Sequence, residues 1–354
     1  MNRCLGCLKD FQTKSEIYCP ACRKSLFGNV SVHLLDFDKT QFYKHRQELA
    51  PRMSISGVQD KISLQLNGKK LDPTDIDGQY ILKPVPSATL DNPEDIVPNE
   101  HLSMLISSQV FGIPTAQCGI IPFKDGELAY IVKRFDYASD GTKLDQEDFA
   151  SVLNRNEETG GIEYKYSGSY ELIANEIKRV IPASLLELES FYSRVLLNYL
   201  IGNGDAHLKN FSIYRLLGRE DYTLTPNYDL LYTKYHIKET VGEMALDLFE
   251  DESTKAYEAI GYYSMQDFDL FAHVLGLPNK RVKKIFQNVF NSVGKIEDLV
   301  NRSFLSEKGK FDYLDNYINR LEKRVAYTIK HPDYTFESNI KPIADAYFKT
   351  NPPF

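Results

Sequence analysis

The chain contains no tryptophan, only five cysteines and five methionines among 354 residues, and no apolar run near the length of a membrane span. A transmembrane helix needs ~20 consecutive apolar residues, so the sequence predicts none. A charged stretch followed by an apolar one, the mark of a secretory signal, is also missing from its start. We therefore expect a cytoplasmic protein with no membrane partner.

Acidic residues also outnumber basic ones. The formal net charge is −7, which argues against a general nucleic-acid binder. The length allows two lobes with cores of their own, and the 42% hydrophobic content is ordinary for a globular protein. One stretch, residues 280–330, holds twelve basic against six acidic residues. It is either a solvated helix face or a contact surface for DNA or a DNA-bound partner.

Four of the five cysteines lie in the first 22 residues, in the motifs CLGC and CPAC. They are Cys4, Cys7, Cys19 and Cys22. Two C-x-x-C pairs at this separation can surround one structural zinc ion, and so short a segment has no core of its own. We predict a small zinc-ribbon-like module. Reduced free thiols or two disulfides are the alternatives, whereas Cys118, in the strand-like stretch TAQCGII, is expected in the core.

Hydrophobic and turn patterns divide the rest of the chain into two parts. Short strands punctuated by turns run from about residue 54 to 135, with one helix near 100–111. Helical periodicity dominates from about residue 145, apart from a hairpin near 211–226. The predicted class is α+β, with a β-rich N-lobe and a mostly helical C-lobe. The predicted units are a cysteine module (1–27), a connecting segment (28–50), the N-lobe (51–136), the C-lobe (137–340) and a tail (341–354).

The stretch NGDAHLKN, residues 203–210, places an acid, a base and two amides directly after an apolar helix. Gly202 stands where a helix usually ends. The stretches FSIYR and YTLTP predict two strands around the turn GRED, with Asp205 and Asn210 before this hairpin and Asp229 after it. Closing the hairpin brings these three side chains to one end.

The chain also offers, in order, the parts that phosphoryl transfer from a nucleotide requires. These are a loop over the phosphates, a lysine on a strand, carboxylate and amide ligands for a metal, and an acid that receives a proton. SISGVQDK (54–61) is a Ser/Gly turn before a strand, Lys83 ends the strand YILK, and Glu100 could pair with Lys83. Asp205 and Asn210 have the D-x-x-x-x-N spacing of a kinase catalytic loop.

Each part has an ordinary explanation by itself. The turn is a common hairpin feature, a strand lysine is usually solvated, and Glu100 could be a charge at a helix N-terminus. Asp229 could cap a turn, and the polar residues of the 203–210 loop could face water. Their joint order favours a kinase.

The motifs SISGVQDK, YILKP, PNE, VKRFD, GDAHLKNFS and LTPNYDLL resemble those of the HipA-type serine/threonine kinases, which are toxins of bacterial toxin–antitoxin systems. The resemblance covers about residues 50–335. It implies a protein-kinase-like fold that uses ATP and Mg²⁺, with Asp205 as the catalytic base and with Asn210 and Asp229 as magnesium ligands. The nucleotide-binding positions that it implies are Ser54, Ile55, Ser56, Gly57, Val58, Gln59, Lys61, Lys83, Glu100, Lys133, Phe135, Asp136 and His207.

The loop serines suggest self-regulation. A phosphate on Ser54, Ser56 or both would bring about −1.5 to −2 charges to the place of the ATP phosphates and lower nucleotide affinity. We therefore expect inhibitory autophosphorylation, as the resemblance also implies. Alternatively, the two serines only cap the turn.

The resemblance also implies partners. These are a HipB-like helix-turn-helix antitoxin, DNA only through that antitoxin, and a protein substrate such as an aminoacyl-tRNA synthetase. The chain looks closer to the short, HipT-like members, in which the N-terminal subdomain of longer members is a separate protein. Two other functions stay open: a degenerate kinase-fold module that acts in an antitoxin–DNA complex, and a small-molecule kinase.

Overall fold

The structure is a computed structural model. It describes residues 2–13, 15–49, 60–138, 140–237, 243–251, 253–322, 338 and 340–350. The predicted phosphate-loop positions Ser54, Ile55, Ser56, Gly57, Val58 and Gln59 lie outside these residues.

The N-terminal region forms a short hairpin and two helices. Strands β1 (Asn2–Arg3) and β2 (Asp10–Phe11) pair antiparallel, and helices α1 (Pro20–Phe27) and α2 (Lys39–Leu49) follow. Helix α1 has a proline in its first turn and ends at Gly28, whose left-handed φ of 59° suits glycine. Residues 28–50, predicted as a connecting segment, thus include α2, whose Phe42 is fully buried.

A five-stranded antiparallel sheet follows, in the order β4-β3-β5-β7-β6. Its strands are β3 (Ile62–Asn67), β4 (Lys70–Pro73), β5 (Tyr80–Pro84), β6 (Cys118–Pro122) and β7 (Leu128–Lys133). Side chains alternate between its faces. Leu82 and Ile131 join the core formed with the N-terminal region, whereas Ile120 and Tyr130 join the core shared with the helical part. The sheet is therefore covered on both faces.

Helix α3 (Ile96–Leu105) lies against β6 and β7, and a single π-helical turn (Ile106–Val110) extends it. Every residue of α3 is buried. Its polar side chains must find partners inside the protein, because an unpaired buried polar group is costly. They include Glu100 and His101, whose partners are described below.

The C-terminal region is mostly helical. Its helices are α4 (Phe149–Val152), α5 (Glu157–Gly160), α6 (Tyr170–Val180), α7 (Ser184–Ile201), α8 (Lys255–Ile260), α9 (Met265–Val274), α10 (Asn279–Phe290), α11 (Val293–Arg302), α12 (Glu307–Arg320) and α13 (Lys341–Thr350). A three-stranded sheet joins β8 (Asp145–Asp148), β9 (Ser212–Arg215) and β10 (Tyr222–Leu224) in the order β10-β9-β8. The predicted α+β class, sheet-rich first and helical afterwards, is confirmed.

Helix α7 is the central support of this region. Its residues from Val195 to Ile201 are all buried, and Gly202 ends it with a left-handed φ of 77°. A Cβ atom at Gly202 would meet Tyr232 at 3.0 Å and Asn316 at 3.2 Å. The loop after α7 therefore starts from a fixed point in the core.

We expect Leu188→Ala in α7 to lower the free energy of unfolding by about 2–5 kcal/mol, because it leaves a cavity in the core. Leu188 is 3% exposed and belongs to the main core. Leu186 is 63% exposed on the same helix, so Leu186→Ala should change stability by no more than ~0.5 kcal/mol. Urea denaturation of both variants would check this, and equal losses would contradict the assigned burial.

Candidate active site

The loop after α7 is held by buried polar side chains. Asn203 Oδ1 accepts a hydrogen bond from the Asp205 amide at 3.2 Å, and Asn203 Nδ2 donates to Asn198 Oδ1 at 2.8 Å and to the Asp229 carbonyl at 3.4 Å. Thr233 Oγ1 accepts from the Gly204 amide at 2.8 Å. The same few side chains thus set the positions of Asp205 and Asp229.

Four of the predicted site residues form a continuous chain of contacts. Asn210 Nδ2 donates to Asp229 Oδ2 at 3.1 Å. Lys83 Nζ contacts Asp229 Oδ1 at 2.5 Å and Glu100 Oε1 at 2.7 Å. Lys83 comes from β5 and Glu100 from α3, whereas Asn210 and Asp229 flank the β9–β10 hairpin. The structure therefore joins the sheet, α3 and the helical part at one point.

Exposure and charge differ along this chain of contacts. The side chains of Lys83 and Glu100 are 9% and 5% exposed, but that of Asp229 is 47% exposed. Burial opposes the charge on Lys83, yet Asp229 and Glu100 outweigh it and raise the pKa of Lys83. Partial desolvation opposes ionisation of the half-exposed Asp229, but the Lys83 charge outweighs it and lowers the pKa of Asp229 to about 2. Burial raises the pKa of Glu100 to about 7. The negative charge of Asp229 adds to this rise, and the Lys83 charge opposes it.

The backbone of Asp229 is also unusual. Its φ of 60° lies in the left-handed region, which non-glycine residues rarely adopt. Such conformations cost about 1–3 kcal/mol and persist where the surrounding structure fixes them. Here Asn203, Asn210 and Lys83 all contact Asp229.

Asp205 lies beside this group with its side chain 53% exposed. Its Oδ1 accepts a hydrogen bond from the Tyr166 hydroxyl at 2.5 Å, and His207 Nε2 lies 3.8 Å away. Burial lowers the pKa of His207 to about 4, so its imidazole is neutral at neutral pH. A solvent-exposed carboxylate beside a neutral histidine is accessible to a hydroxyl whose proton it could accept.

The remaining described nucleotide positions do not all lie at this group. Burial and the nearby Lys83 charge lower the pKa of Lys61. Lys133 Nζ instead reaches the Ser25 carbonyl at 3.4 Å, in helix α1 of the N-terminal region. The Phe135 ring lies 5.3 Å from the Tyr228 ring.

Asp136 is tied to a different partner. Its carboxylate accepts two hydrogen bonds from the Arg134 guanidinium, at 2.9 and 2.5 Å. This ion pair holds the segment that follows β7 and leads from the sheet into the helical part.

The donor set between Asn210 and Asp229 fits a hard cation. Within the described part of the chain, the buried Asn210 Oδ1 has no hydrogen-bond partner, and the Nδ2 atom of the same amide donates to the Asp229 carboxylate. Amide and carboxylate oxygens are the ligands that Mg²⁺ prefers.

A second candidate site lies at the N-terminus. The sulfur atoms of Cys4, Cys7, Cys19 and Cys22 all lie within 4.8 Å of one another, and all four cysteines are free. Tetrahedral zinc with Zn–S bonds of about 2.3 Å separates its sulfurs by about 3.8 Å, and the Cys7 and Cys19 sulfurs are 3.8 Å apart. The amides of Gly6 and Cys19 donate to Cys4 Sγ at 3.4 and 3.1 Å, which supports a thiolate there. Cys118 is buried outside this cluster, as expected.

Sequence patterns did not single out Tyr166 or Thr233. Tyr166 is 39 residues from Asp205 and shares no motif with it. Asn203 stands inside the NGDAHLKN stretch, so its position was noticeable, but its link to Asp229 depends on the closed hairpin.

No helix among the residues that the structure describes is long and apolar enough to cross a membrane.

Comparison with known proteins finds a matching family and several relatives. The family described as "HipA-like C-terminal domain" matches residues 53–296. A Haemophilus influenzae protein named "Putative kinase" is 28% identical over 307 residues, which cover 82% of this chain and 86% of that protein. "Putative kinase Y4dM" of Sinorhizobium fredii is 30% identical over 239 residues, 61% of this chain and 54% of that protein.

A solved structure shares the fold. The HipA chain from the Shewanella oneidensis complex of HipA, HipB and operator DNA superposes with a TM-score of 0.58 at 22% identity, over 81% of this chain and 71% of that one. The resemblance drawn from the motifs is thereby confirmed. Because the family match spans more than half of the residues, the chain belongs to the HipA-like C-terminal domain family.

Proposed function

We propose that the chain is an ATP-dependent serine/threonine protein kinase. The observation that carries the proposal is the contact chain Glu100–Lys83–Asp229–Asn210, which Asn203 connects to the backbone of Asp205. These residue types, in this order and geometry, match the needs of phosphoryl transfer. The similarity to proteins named as kinases supports the same activity.

In the proposed mechanism each residue has one task. Lys83 binds phosphate oxygens, and Glu100 keeps the lysine in place. Asn210 and Asp229 would hold Mg²⁺, which would neutralise phosphate charge. Asp205 orients the acceptor hydroxyl and takes its proton as the oxygen attacks the γ-phosphorus, while ADP leaves.

The direct test is to incubate the purified chain with labelled ATP and a cell extract and to identify the labelled protein. Mg-ATP at 100 times its dissociation constant should also stabilise the fold by about 2.7 kcal/mol. A chain that is neither stabilised by Mg-ATP nor able to transfer label would instead be a regulatory module with a kinase fold.

The biological setting is part of the proposal. We infer a toxin that phosphorylates a translation component such as an aminoacyl-tRNA synthetase, held in check by a HipB-like helix-turn-helix antitoxin that contacts DNA. The S. oneidensis neighbour forms a complex with HipB and operator DNA, which supports this kind of partner. A separate protein equivalent to the N-terminal subdomain of longer members is a further proposed partner. Affinity purification from the native cells that recovers no DNA-binding protein would contradict the antitoxin.

The two aspartates should be separable by binding. Asp205→Asn removes the proton acceptor, so we expect phosphoryl transfer to fall by ~10²- to 10⁴-fold while Mg-ATP affinity stays the same. Asp229→Asn should abolish transfer and weaken Mg-ATP binding as well, because it removes a metal ligand.

Nucleotide titration and transfer assays would measure both effects. Asp221→Asn, at an exposed position near the start of β10, is the matched control and should change neither. Parent-like Mg-ATP affinity in Asp229→Asn would show that its assigned role is wrong.

The cysteine cluster should hold about one zinc per chain, because its four sulfurs are placed for tetrahedral ligation. Elemental analysis of reduced, chelator-free protein would measure it. Cys22→Ser should lose the metal and lower the melting temperature, whereas Cys118→Ala, outside the cluster, should keep the zinc. Zinc-free parent protein would contradict the site.

Autophosphorylation of Ser54 or Ser56 stays a prediction, since both serines lie outside the described residues. After incubation with Mg-ATP, peptide mass spectrometry should find phosphate within residues 52–61, and the modified protein should bind ATP more weakly. Asp205→Asn is the control. Equal phosphate in that variant would mean that another kinase had added it.

A further inference from the structure

The segment 161–168, which we name the tyrosine segment, lies across the predicted catalytic loop. The Tyr166 hydroxyl contacts Asp205 Oδ1 at 2.5 Å, and the Tyr166 ring lies edge-on to His207 with 5.1 Å between centroids. The Tyr164 hydroxyl accepts a hydrogen bond from Lys209 Nζ at 3.2 Å. Two tyrosines of one short segment thus contact three positions of the loop 205–209.

Glycines stand at both ends of this segment. Gly161 has a φ of 66° and Gly168 a φ of 153°, which are conformations that other residues rarely adopt. Ile162 between them is 83% exposed. Glycine positions of this kind can absorb the backbone rotations of a moving segment.

The chain directly after the segment is fixed by burial and by a hydrogen bond. Tyr170, directly after the segment, is fully buried and donates its hydroxyl hydrogen bond to the Ala206 carbonyl at 2.8 Å. The catalytic loop is therefore held by α6 whether or not the tyrosine segment stays in place.

The position of the Tyr166 hydroxyl has a chemical meaning. A general base must lie within about 2.6–3.2 Å of the hydroxyl whose proton it takes. Tyr166 already places a hydroxyl 2.5 Å from Asp205 Oδ1, slightly closer than the lower end of that range. An incoming acceptor hydroxyl needs the same carboxylate oxygen, so the two compete.

We propose that Tyr166 occupies the acceptor position of the active site and that a hydroxyl-bearing protein segment binds by displacing the tyrosine segment. The inference rests on the proposed role of Asp205. It assigns residues 161–168 as the surface that an acceptor must open, and Tyr166 as the residue that limits access by water or by weakly bound hydroxyls.

The first test uses water as the acceptor. Tyr166→Phe removes the hydrogen bond to Asp205, and a hydrogen bond to a charged group is strong enough that we expect ADP formation from Mg-ATP to rise about tenfold. ATP affinity should not change. Tyr222→Phe is the matched control, because it removes a tyrosine hydroxyl that donates to another exposed carboxylate, that of Asp145, and its rate should stay within about twofold.

The second test does not depend on activity. Amide hydrogen exchange in residues 161–168 should increase in Tyr166→Phe and equally in Asp205→Ala, because both remove the same contact. Unchanged exchange in both variants would overturn the proposal, as would a slower ADP formation in Tyr166→Phe, which would make Tyr166 a positioning residue for Asp205.

These measurements separate the two hypotheses. Increased exchange in both variants, with no ADP formed by any protein and no stabilisation by Mg-ATP, would reject the kinase while confirming the contact. Normal ADP formation with unchanged exchange would reject the displacement alone.

Discussion

The site depends on one buried cation held between two carboxylates. Lys83 connects Glu100 on α3 with Asp229 after the β9–β10 hairpin. A buried charge without partners is strongly unfavourable, so the lysine can be accommodated only where both acids converge. The sheet, the buried helix and the helical part must therefore come together as they do. Of the two acids, Asp229 is the one that solvent can reach.

The position of α3 depends in turn on the N-terminal cysteine module. His101, next to Glu100, contacts the carbonyl of Gly6 at 3.0 Å, and Gly6 lies between Cys4 and Cys7. Since a carbonyl oxygen can only accept, His101 Nε2 carries the proton. A Cβ atom at Gly6 would meet Cys22 Sγ at 2.9 Å, which shows how closely the cluster packs there. The cysteine cluster and the Lys83 ion pair thus share one helix.

The sequence predicted the local parts of the site better than the distant ones. Asp205 and Asn210 are five positions apart, and the hairpin that brings Asp229 to them is readable from strand and turn patterns. The pairing of Lys83 with Glu100 was predictable from their order and from the buried helix. The Tyr166–Asp205 contact was not, because it joins a half-exposed segment to a loop without any periodic signal. The same holds for the Tyr18 hydroxyl on the Ile120 carbonyl, which joins residues 102 positions apart.

The N-terminal region packs against the face of the five-stranded sheet that lies opposite α3, and the two share one core. Ile62, Leu82 and Ile131 on that face are fully buried, and Leu26, Phe27 and Phe42 belong to the same core. Without residues 2–49 this face would be a large exposed apolar patch, which monomeric proteins rarely tolerate. The family match begins at residue 53, after this cover. In this chain, then, the region before the family match completes the core on one face of the sheet that carries Lys83.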